Sequence, residues 1–449
     1  MRLSALIGHV VEVLDLIRAG RRPADAVVRE FFRARHYLGA SDRRYIAERT
    51  FDVVRHHALL TLLSREAFVS LGAVDPGPAL SSVALVATHE VRCKESERAP
   101  DDLLPDIAGV WRMSFTDVEC EAFLGEVRHA EIPPSVKDDD ERFLSVRHSI
   151  PAFVVKDWLR RFGSGETASL CAAVNTPAPV TIRVNTLRCT LEECREALAH
   201  EGIMAQPTAM SPVGLHLAKR INAHGLHAFK QGWFEMQDEG SQVITPLTGA
   251  CPGMTVVDAC AGGGGKSLHL AALMNNRGRI LAVDVDRSKL EQLEQRAHRA
   301  GVSIAETLHA TSPDKSPLPA TTCADVVLVD APCSGTGTFR RSPWLKLNLT
   351  EATIPPLVRL QGNLLERYAG VVKPGGRLVY TTCSLLDEEN RAVVERFLTS
   401  HPEFAPLPLD AATNWQLQGN HDGGTYLELL PHKTGTDGFF GAILIRSLR

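Results

Sequence analysis

The spacing of apolar residues predicts helices at the start of the chain. Up to about residue 130, apolar residues recur at helical spacing, as in Val10-Val11-Val13-Leu14-Ile17 and Val27-Val28-Phe31-Phe32. Strand-like alternation is scarce there. The charged run Lys137-Asp138-Asp139-Asp140-Glu141 follows Pro133-Pro134 and is typical of a solvated linker. We therefore expect an all-helical domain over residues 1–145.

Two further regions follow, each with its own pattern. Residues 146–240 predict helices over 151–162 and 166–175, a strand over 180–184 and a helix over 191–201, which is a small α+β module. Residues 241–449 alternate, with strands over 255–258, 279–284, 324–330 and 377–382. Amphipathic helices over 266–274, 287–300 and 356–372 separate these strands. This order predicts an α/β domain with a doubly wound, Rossmann-like parallel sheet.

Composition places the chain among globular proteins and limits how it can meet nucleic acid. Of 449 residues, 44% are hydrophobic and 23% charged. We recognise neither a signal peptide nor an apolar run of about 18 residues, so we expect a cytoplasmic protein without a membrane partner. The net charge of −4 provides no general basic field. Residues 1–62, however, hold eleven Arg against seven Asp plus Glu, a local basic patch.

A glycine-rich loop follows the first strand of the α/β domain. It reads Ala259-Cys260-Ala261-Gly262-Gly263-Gly264-Gly265-Lys266-Ser267. A phosphate-binding P-loop would need glycine where Cys260 stands, and neither glycine spacing fits the dinucleotide pattern G-x-G-x-x-G. The spacing favours a loop for another nucleoside cofactor. Asp284 ends the next strand and is the candidate acceptor for ribose hydroxyls, with Asp286 as its competitor; either carboxylate could instead cap the following helix.

Two of the ten cysteines lie just beyond predicted strand ends. Asp330-Ala331-Pro332-Cys333-Ser334-Gly335 follows one strand, and Thr381-Thr382-Cys383-Ser384 follows another. No C-x-x-C pair is present, so we expect no metal site. Parallel strands bind ligands outside their carboxyl ends. If the two strands are neighbours, Asp330, Cys333 and Cys383 face one site.

These motifs resemble those of the RsmB/Sun-type RNA cytosine-C5 methyltransferases. The resemblance covers about residues 150–446 and includes the two cysteine motifs, the cofactor loop, and the segments Arg183-Val184-Asn185-Thr186, Lys373-Pro374-Gly375-Gly376 and Asp437-Gly438-Phe439-Phe440. The stretch Gly39-Ala40-Ser41-Asp42-Arg43-Arg44 is similar to the NusB-like domain of the ribosomal RNA members. The resemblance implies S-adenosylmethionine as cofactor and RNA, most simply small-subunit ribosomal RNA, as substrate, with the chain expected to act as a monomer.

The resemblance also implies roles for the site residues. Cys383 attacks cytosine carbon 6 and Cys333 assists release, whereas Asp330 serves ring nitrogen 3 and Lys266 favours thiolate formation. The cofactor lies against Cys260, Ala261, Gly262, Gly263, Gly264, Gly265 and Lys266, with Asp284, Thr311 and Asp330 completing its site. Phosphate contacts are expected from Arg340, Arg341, Lys346 and the arginine-rich N-terminal helices.

Three positions depart from the family pattern. Gly262-Gly263 replaces the usual Ala-Pro, Thr311 stands where an adenine-binding Asp is usual, and Trp344 replaces an expected acid. Two rival functions therefore stay open. One is the same chemistry on transfer RNA, and the other is a non-catalytic RNA-binding factor in ribosome assembly.

Overall fold

The chain forms two compact units. The computed structural model describes residues 1–20, 22–72, 81–92, 100–111, 116–312, 317–319, 321–409 and 424–448. Met1–Asn175 and Ser342–Thr350 form one unit, which we call the helical unit. Thr176–Arg341 and Glu351–Arg449 form the other, which we call the sheet unit. Arg21 and Cys93, counted in the sequence, lie outside the described residues.

The helical unit confirms the expected all-helical start of the chain. In its described part the helices are α1 Leu3–Ala19, α2 Ala24–Arg33, α3 Ala40–Arg55, α4 His57–Ser70, α5 Ser82–Arg92, α6 Pro100–Trp111, α7 Asp117–His129, α8 Pro134–Lys137, α9 Asp140–His148 and α10 Ala152–Val174. The two helices predicted over 151–162 and 166–175 are one helix, α10, kinked at Gly163, whose φ is 75°.

The predicted linker at residues 137–141 is wrong, because this acidic run begins a helix. Asp139 is the N-cap of α9, and its carboxylate accepts a hydrogen bond from the backbone N–H of Arg142 at 3.0 Å. Asp140 and Glu141 occupy the first turn, where negative charge interacts favourably with the helix dipole. The acidic pattern that resembled a solvated linker is a helix start.

Ser342–Thr350, remote in sequence, completes the core of the helical unit. Trp344 is 8% exposed, and its ring lies 5.9 Å from that of Phe51. A short helix at Leu345–Asn348 carries Lys346, which is also buried. The Lys346 ammonium donates to Asn175 Oδ1 at 2.5 Å and to the carbonyl of His148 at 3.0 Å.

The sheet unit begins with a small antiparallel sheet. Its strands are β1 Val180–Val184, β2 Ala205–Pro207, β3 Gly214–Leu217 and β4 Phe234–Met236, in the order β2-β3-β1-β4. The helices α11 Leu191–His200, α12 His227–Lys230 and α13 Glu239–Ile244 accompany it. The strand β1 has the predicted bounds.

An eight-stranded mixed sheet forms the rest of this unit. Its strands are β5 Thr255–Asp258, β6 Arg279–Asp284, β7 Ala305–His309, β8 Ala324–Asp330, β9 Val372–Thr382, β10 Phe404–Pro406, β11 Tyr426–Leu429 and β12 Phe439–Arg446. The helices are α14 Gly265–Leu273, α15 Arg287–Ala300, α16 Ile354–Ala369, α17 Arg391–Ser400 and α18 Pro431–Thr434. The order is β10-β12-β9-β8-β5-β6-β7, with β11 paired to β12. Strands β5 to β9 are parallel, which confirms the predicted Rossmann-like core, and β12 adds an antiparallel edge.

Both faces of this sheet are covered by helices. Val256 and Val326 pack in one apolar cluster with residues of α14 and α15. Their neighbours Val257 and Val327 pack in a second cluster with residues of α16 and α17. Alternate strand residues thus enter opposite layers, as the near-continuous apolar strands require. In the described part of the chain, every helix is too short or too polar to cross a lipid bilayer.

The strand order reverses between β5 and β8. The strand β5 leads to β6 and β7 on one side, whereas β8 and β9 lie on the other. In doubly wound sheets the loops at such a reversal diverge and leave a crevice at the carboxyl ends of the strands. The three loops that follow β5, β8 and β9 therefore define where a ligand site is expected.

Candidate active site

The glycine loop lies between β5 and α14. Gly262 and Gly264 have φ values of 53° and 83°, a left-handed conformation that side chains disfavour. A Cβ atom on Gly264 would come within 2.5 Å of Leu293, so the loop can approach α15 only with glycine there. A Cβ atom on Gly262 would meet nothing within 4 Å, which leaves the loop open on that side.

Asp284 closes this loop from the end of β6. Its Oδ2 accepts from the backbone N–H of Gly262 at 2.7 Å, and its Oδ1 accepts from that of Asp286 at 2.8 Å. Asp286 has a different task, because its carboxylate accepts from the N–H groups of Ser288 and Lys289 as the N-cap of α15. Of the two candidates, Asp284 is the one that contacts the glycine loop.

A buried carboxylate lies immediately before the loop. Asp258 is fully buried, and Ser267 Oγ donates to its Oδ2 at 2.6 Å. Its Oδ1 meets no well-aligned donor among the described residues. Burial raises the pKa of Asp258 to about 6. An open glycine loop, a half-buried Asp284 and a buried oxygen lacking a donor fit a nucleoside cofactor that also carries a cationic group.

The two cysteine loops meet at the ends of β8 and β9. The Sγ atoms of Cys333 and Cys383 are 3.4 Å apart, and both residues are half-buried, free thiols. Burial and the contact with Cys383 raise the pKa of Cys333 well above the usual thiol value. Gly337 of the first loop donates its N–H to the Cys383 carbonyl at 2.9 Å. Two residues 50 positions apart are thus brought into contact.

An ion pair lies beside the cysteine loops. Lys266 Nζ is 2.6 Å from Asp330 Oδ2, and Thr381 Oγ1 donates to Asp330 Oδ1 at 3.0 Å. Thr381 is the register partner of Asp330 in the parallel pair of β8 and β9. The ammonium group of Lys266 lies 5.6 Å from the ring centre of Phe439, at the start of β12. Lys266, in the first turn of α14, and Asp330, at the end of β8, therefore share one site.

Known proteins match the chain along most of its length. A model of the 16S rRNA methyltransferases RsmB/F matches residues 249–445, and one of the ferredoxin-like domain of RsmF/B-like methyltransferases matches residues 150–224. A probable ribosomal RNA small subunit methyltransferase B of Synechocystis is 31% identical over 91% of this chain and 92% of its own. The chain belongs to the RsmB/F methyltransferase family.

Further relatives agree. A probable ribosomal RNA small subunit methyltransferase B of Bacillus subtilis is 34% identical over 68% of each chain. The crystal structure of PH0851 superposes with a TM-score of 0.79 and 28% identity over 99% of both chains. As a member of the RsmB/F family, the chain is an S-adenosylmethionine-dependent methyltransferase.

The departures from the family pattern fall in different places. Thr311 is exposed two residues after β7, on the same sheet edge as Asp284. Trp344, which replaces an acid, packs in the core of the helical unit.

Cys260 lies among Asp258, Asp284 and Asp330, and burial raises its pKa well above the usual thiol value, so it stays protonated. Ala261 is buried and donates its N–H to the Val283 carbonyl at 2.9 Å.

The expected phosphate contacts of Arg340 and Lys346 are wrong, because both side chains are buried. Arg340 donates to the carbonyls of Gly435 and Thr436, and Lys346 lies inside the helical unit. Arg341 forms ion pairs with Asp238 at 2.9 Å and Asp437 at 2.7 Å. Acceptors within the protein already bind the side chains of Arg340, Arg341 and Lys346.

Sequence reasoning missed Glu389, Gln361 and Phe439 at this site. Glu389 belongs to the charged run Asp387-Glu388-Glu389, which resembles a solvated turn, yet Glu389 is fully buried. Nothing in the run distinguishes Glu389 from the exposed Glu388. The closing Asp437-Gly438-Phe439-Phe440 motif was the one available signal for Phe439.

Proposed function

We propose that this protein methylates carbon 5 of a cytosine in small-subunit ribosomal RNA, through a covalent bond between Cys383 and carbon 6. The observation that carries the proposal is the pair of thiols, 3.4 Å apart, beside the Lys266–Asp330 ion pair and next to the glycine loop. A methyltransferase that acts on a nucleophilic oxygen or nitrogen atom has no need of two adjacent thiols.

Cytosine carbon 5 is too weakly nucleophilic to be methylated directly. When the Cys383 sulfur adds to carbon 6, the S–C6 bond forms and the electrons of the C5–C6 double bond make carbon 5 nucleophilic. Negative charge develops at ring nitrogen 3 and is neutralised by a proton shared with Asp330, and Lys266 balances the carboxylate once that proton has moved to the base. S-adenosylmethionine supplies the methyl group as an electrophile when it is bound.

Release requires two further changes on the base. Carbon 5 must lose its proton, and the S–C6 bond must break so that the double bond returns. The net reaction replaces one hydrogen by methyl and liberates one proton. We assign Cys333 to this stage, because the family resemblance implies this role and its sulfur lies beside that of Cys383.

The cofactor would be held by the loop Cys260–Gly265 and Lys266, with Asp284 as the ribose acceptor. Asp284 already orients its carboxylate towards the loop through Gly262, so its free lone pairs lie at the loop edge. Thr311 follows β7 at the same edge of the sheet and offers a hydroxyl group in place of the carboxylate that is usual at this position. Asp330 completes the site from β8.

Ribosomal RNA is favoured as substrate because the relatives named above are small-subunit ribosomal RNA methyltransferases. Transfer RNA is the alternative substrate. The third candidate, a non-catalytic assembly factor, has less support, because the thiol pair and the ion pair are both intact.

The test is methyl transfer in vitro followed by bisulfite sequencing. The full chain, S-adenosylmethionine and either unmethylated small-subunit ribosomal RNA or transfer RNA are incubated. We expect one protected cytosine in the ribosomal RNA and none in transfer RNA. Protection in transfer RNA alone would replace the substrate. Cofactor binding in calorimetry without methylation of either RNA would support the assembly factor.

A further inference from the structure

Glu389 bridges the two cysteine loops from a fully buried position. It is 0% exposed and lies in a short turn six residues after Cys383. Its neighbours in sequence include Glu388, which is exposed. A charged side chain that is withdrawn from water at such a place needs a physical reason.

Both carboxylate oxygens of Glu389 accept hydrogen bonds. Oε1 accepts from the backbone N–H of Ser334 at 2.9 Å and from Gln361 Nε2 at 3.0 Å. Oε2 accepts from Ser384 Oγ at 2.5 Å and also from Ser334 Oγ. Ser334 directly follows Cys333, and Ser384 directly follows Cys383. One carboxylate therefore contacts the residue next to each thiol.

The bridge is itself anchored to the sheet and to α16. Gln361, on α16, also donates to the Pro332 carbonyl at 2.9 Å, one residue before Cys333. Tyr380, on β9, donates its hydroxyl to the Glu389 carbonyl at 2.6 Å. The side chain and the backbone of Glu389 are thus both fixed, which restricts movement of the cysteine loops.

The charge of Glu389 is not balanced by a neighbouring cation. Among the residues that the structure describes, no lysine, arginine or histidine forms an ion pair with it. Two donors on each oxygen match the acceptor-only, ionised form of the side chain. A buried, unpaired carboxylate gives no stability advantage over an apolar residue of similar size. Its negative charge also contributes to the raised pKa of Cys333.

We propose that Glu389 is a positioning residue, which holds the Cys333 and Cys383 loops together so that both thiols reach the same base. The inference rests on the proposed function, because only a reaction that uses both sulfurs needs this alignment. Displacement of a reacting group by about 1 Å can lower a rate about 100-fold.

Three variants of the full chain separate position from charge. Glu389→Ala removes all four acceptor contacts. Glu389→Gln keeps the size and can keep the geometry, because its NH2 group can donate to the Ser334 and Ser384 hydroxyls while its oxygen accepts from Ser334 N–H and Gln361. Glu388→Gln removes a neighbouring exposed charge and is the matched control.

The first measurement is the rate at which diamide oxidises the two thiols to a Cys333–Cys383 disulfide, read by peptide mass spectrometry. Diamide accepts the two electrons and the two protons. The rate reports thiol alignment without RNA or cofactor. We expect Glu389→Ala to slow cross-linking at least about tenfold, Glu389→Gln to stay within about threefold of wild type, and Glu388→Gln to be unchanged.

The second measurement is methylation kinetics. We expect kcat to fall at least about 100-fold in Glu389→Ala, with KM for RNA and the affinity for S-adenosylmethionine unchanged, and Glu389→Gln to recover at least about tenfold of the loss. If Glu389→Ala does not fold, Ser384→Ala cuts the link to the Cys383 loop alone, and it should slow cross-linking and lower kcat at least about threefold.

Wild-type cross-linking rates in Glu389→Ala and Ser384→Ala would overturn the proposal. So would a Glu389→Gln variant as impaired as Glu389→Ala. Failure of the proposed function is a separate result: wild-type protein would then cross-link rapidly and bind cofactor, yet methylate no cytosine carbon.

Discussion

The two compact units bury different sets of ionisable groups. The helical unit buries bases: burial lowers the pKa of His56, His57 and His148 to about 4, and that of Lys346 far below the usual lysine value. The sheet unit buries acids as well as bases such as Arg183 and His269, whose pKa values burial also lowers. Burial raises the pKa of Asp258 and of Asp437 to about 6. Burial disfavours the charged form of each of these groups, and Asp258 lies immediately before the glycine loop.

The two lysines Lys266 and Lys346 lie in different surroundings. Lys266 has a carboxylate, Asp330, at 2.6 Å. The described contacts of Lys346 include neutral acceptors, the amide oxygen of Asn175 and backbone carbonyls. Desolvation has the largest effect on Lys346 and lowers its pKa, and its amino group donates hydrogen bonds in the core. Lys266 thus forms an ion pair in the sheet unit, whereas Lys346 lies in the core of the helical unit.

The largest effect is expected from the cysteines of the sheet unit. Cys383→Ala should lower methylation at least about 10³-fold and form no covalent RNA adduct, because the attacking sulfur is gone. Cys333→Ala should still attack and methylate but release slowly. It should accumulate a protein–RNA species that survives denaturing electrophoresis of a labelled RNA.

The double variant is the control and should give no adduct. An adduct with Cys383→Ala but none with Cys333→Ala would exchange the two roles. That arrangement is the one expected if the cysteine after Pro332 were the nucleophile.

Lowering the pH should destabilise the helical unit more than the sheet unit. The three histidines have a folded pKa near 4 and an unfolded pKa near 6.5, so the unfolded helical unit binds more protons between these values. Its stability should fall as pH drops from about 6.5 to about 4, by up to about 3 kcal/mol for each histidine. Asp258 and Asp437 act oppositely: their folded pKa exceeds the unfolded value, so their unfavourable contribution appears as pH rises towards 6.

Hydrogen exchange at pH 7.5 and pH 5, corrected for intrinsic rates, measures this contrast segment by segment. Peptides from α1 and α3 should lose protection at pH 5 before peptides from β5 and β8. His57→Gln should remove about a third of the loss. Earlier opening of the sheet unit would contradict the larger contribution of buried histidines to the helical unit.

A smaller effect is expected for the cofactor acid. Asp284→Ala should weaken S-adenosylmethionine binding by about 1–3 kcal/mol, since hydrogen bonds to a charged acceptor are lost. Calorimetry without RNA measures it. Asp286→Ala is the matched control, because Asp286 caps α15 and should leave the affinity nearly unchanged. The reverse order of effects would place the ribose contact at Asp286.

The smallest effect is expected at the surface of the helical unit. Arg29, Arg33 and Arg44 are exposed, and Arg29 and Arg33 lie one turn apart on α2. Changing the three to Gln should weaken RNA binding and reduce the slope of log K against log salt by up to about 3, with methylation of saturating RNA unchanged. Arg22→Gln is the control, since Arg22 already pairs with Glu30 at 2.7 Å. An unchanged slope would remove these helices from the RNA surface.

Local patterns predicted much of the fold and of the candidate site. The strands β1, β5, β6 and β8 and the helix α15 have the predicted bounds, because a short apolar strand or an amphipathic helix is encoded by adjacent residues. The Cys333 and Cys383 loops were placed at strand ends for the same reason. Lys266 and Asp330 were chosen by resemblance, and their 2.6 Å contact agrees with a shared role.

What needed the tertiary structure was the environment of individual polar residues. Glu389 and Glu388 are the same residue type side by side, yet only Glu389 is withdrawn from water. The sequence led us to expect that Arg340 and Lys346 contact phosphate, yet both side chains are buried. Burial depends on which distant segments pack around a side chain, and Ser342–Thr350 joins the helical unit although the whole of Thr176–Arg341 separates it from Asn175 in sequence.

The sequence by itself determined the family, the alternation of strands and helices, and the chemistry available at the strand ends. Periodicity and motifs are local, and strand ends follow from them. Only the tertiary structure decided that the two sulfurs lie 3.4 Å apart, that Asp284 rather than Asp286 contacts the glycine loop, and that one buried glutamate connects the cysteine loops. Contacts between residues far apart in sequence depend on strand order and register, and neither follows from local sequence patterns.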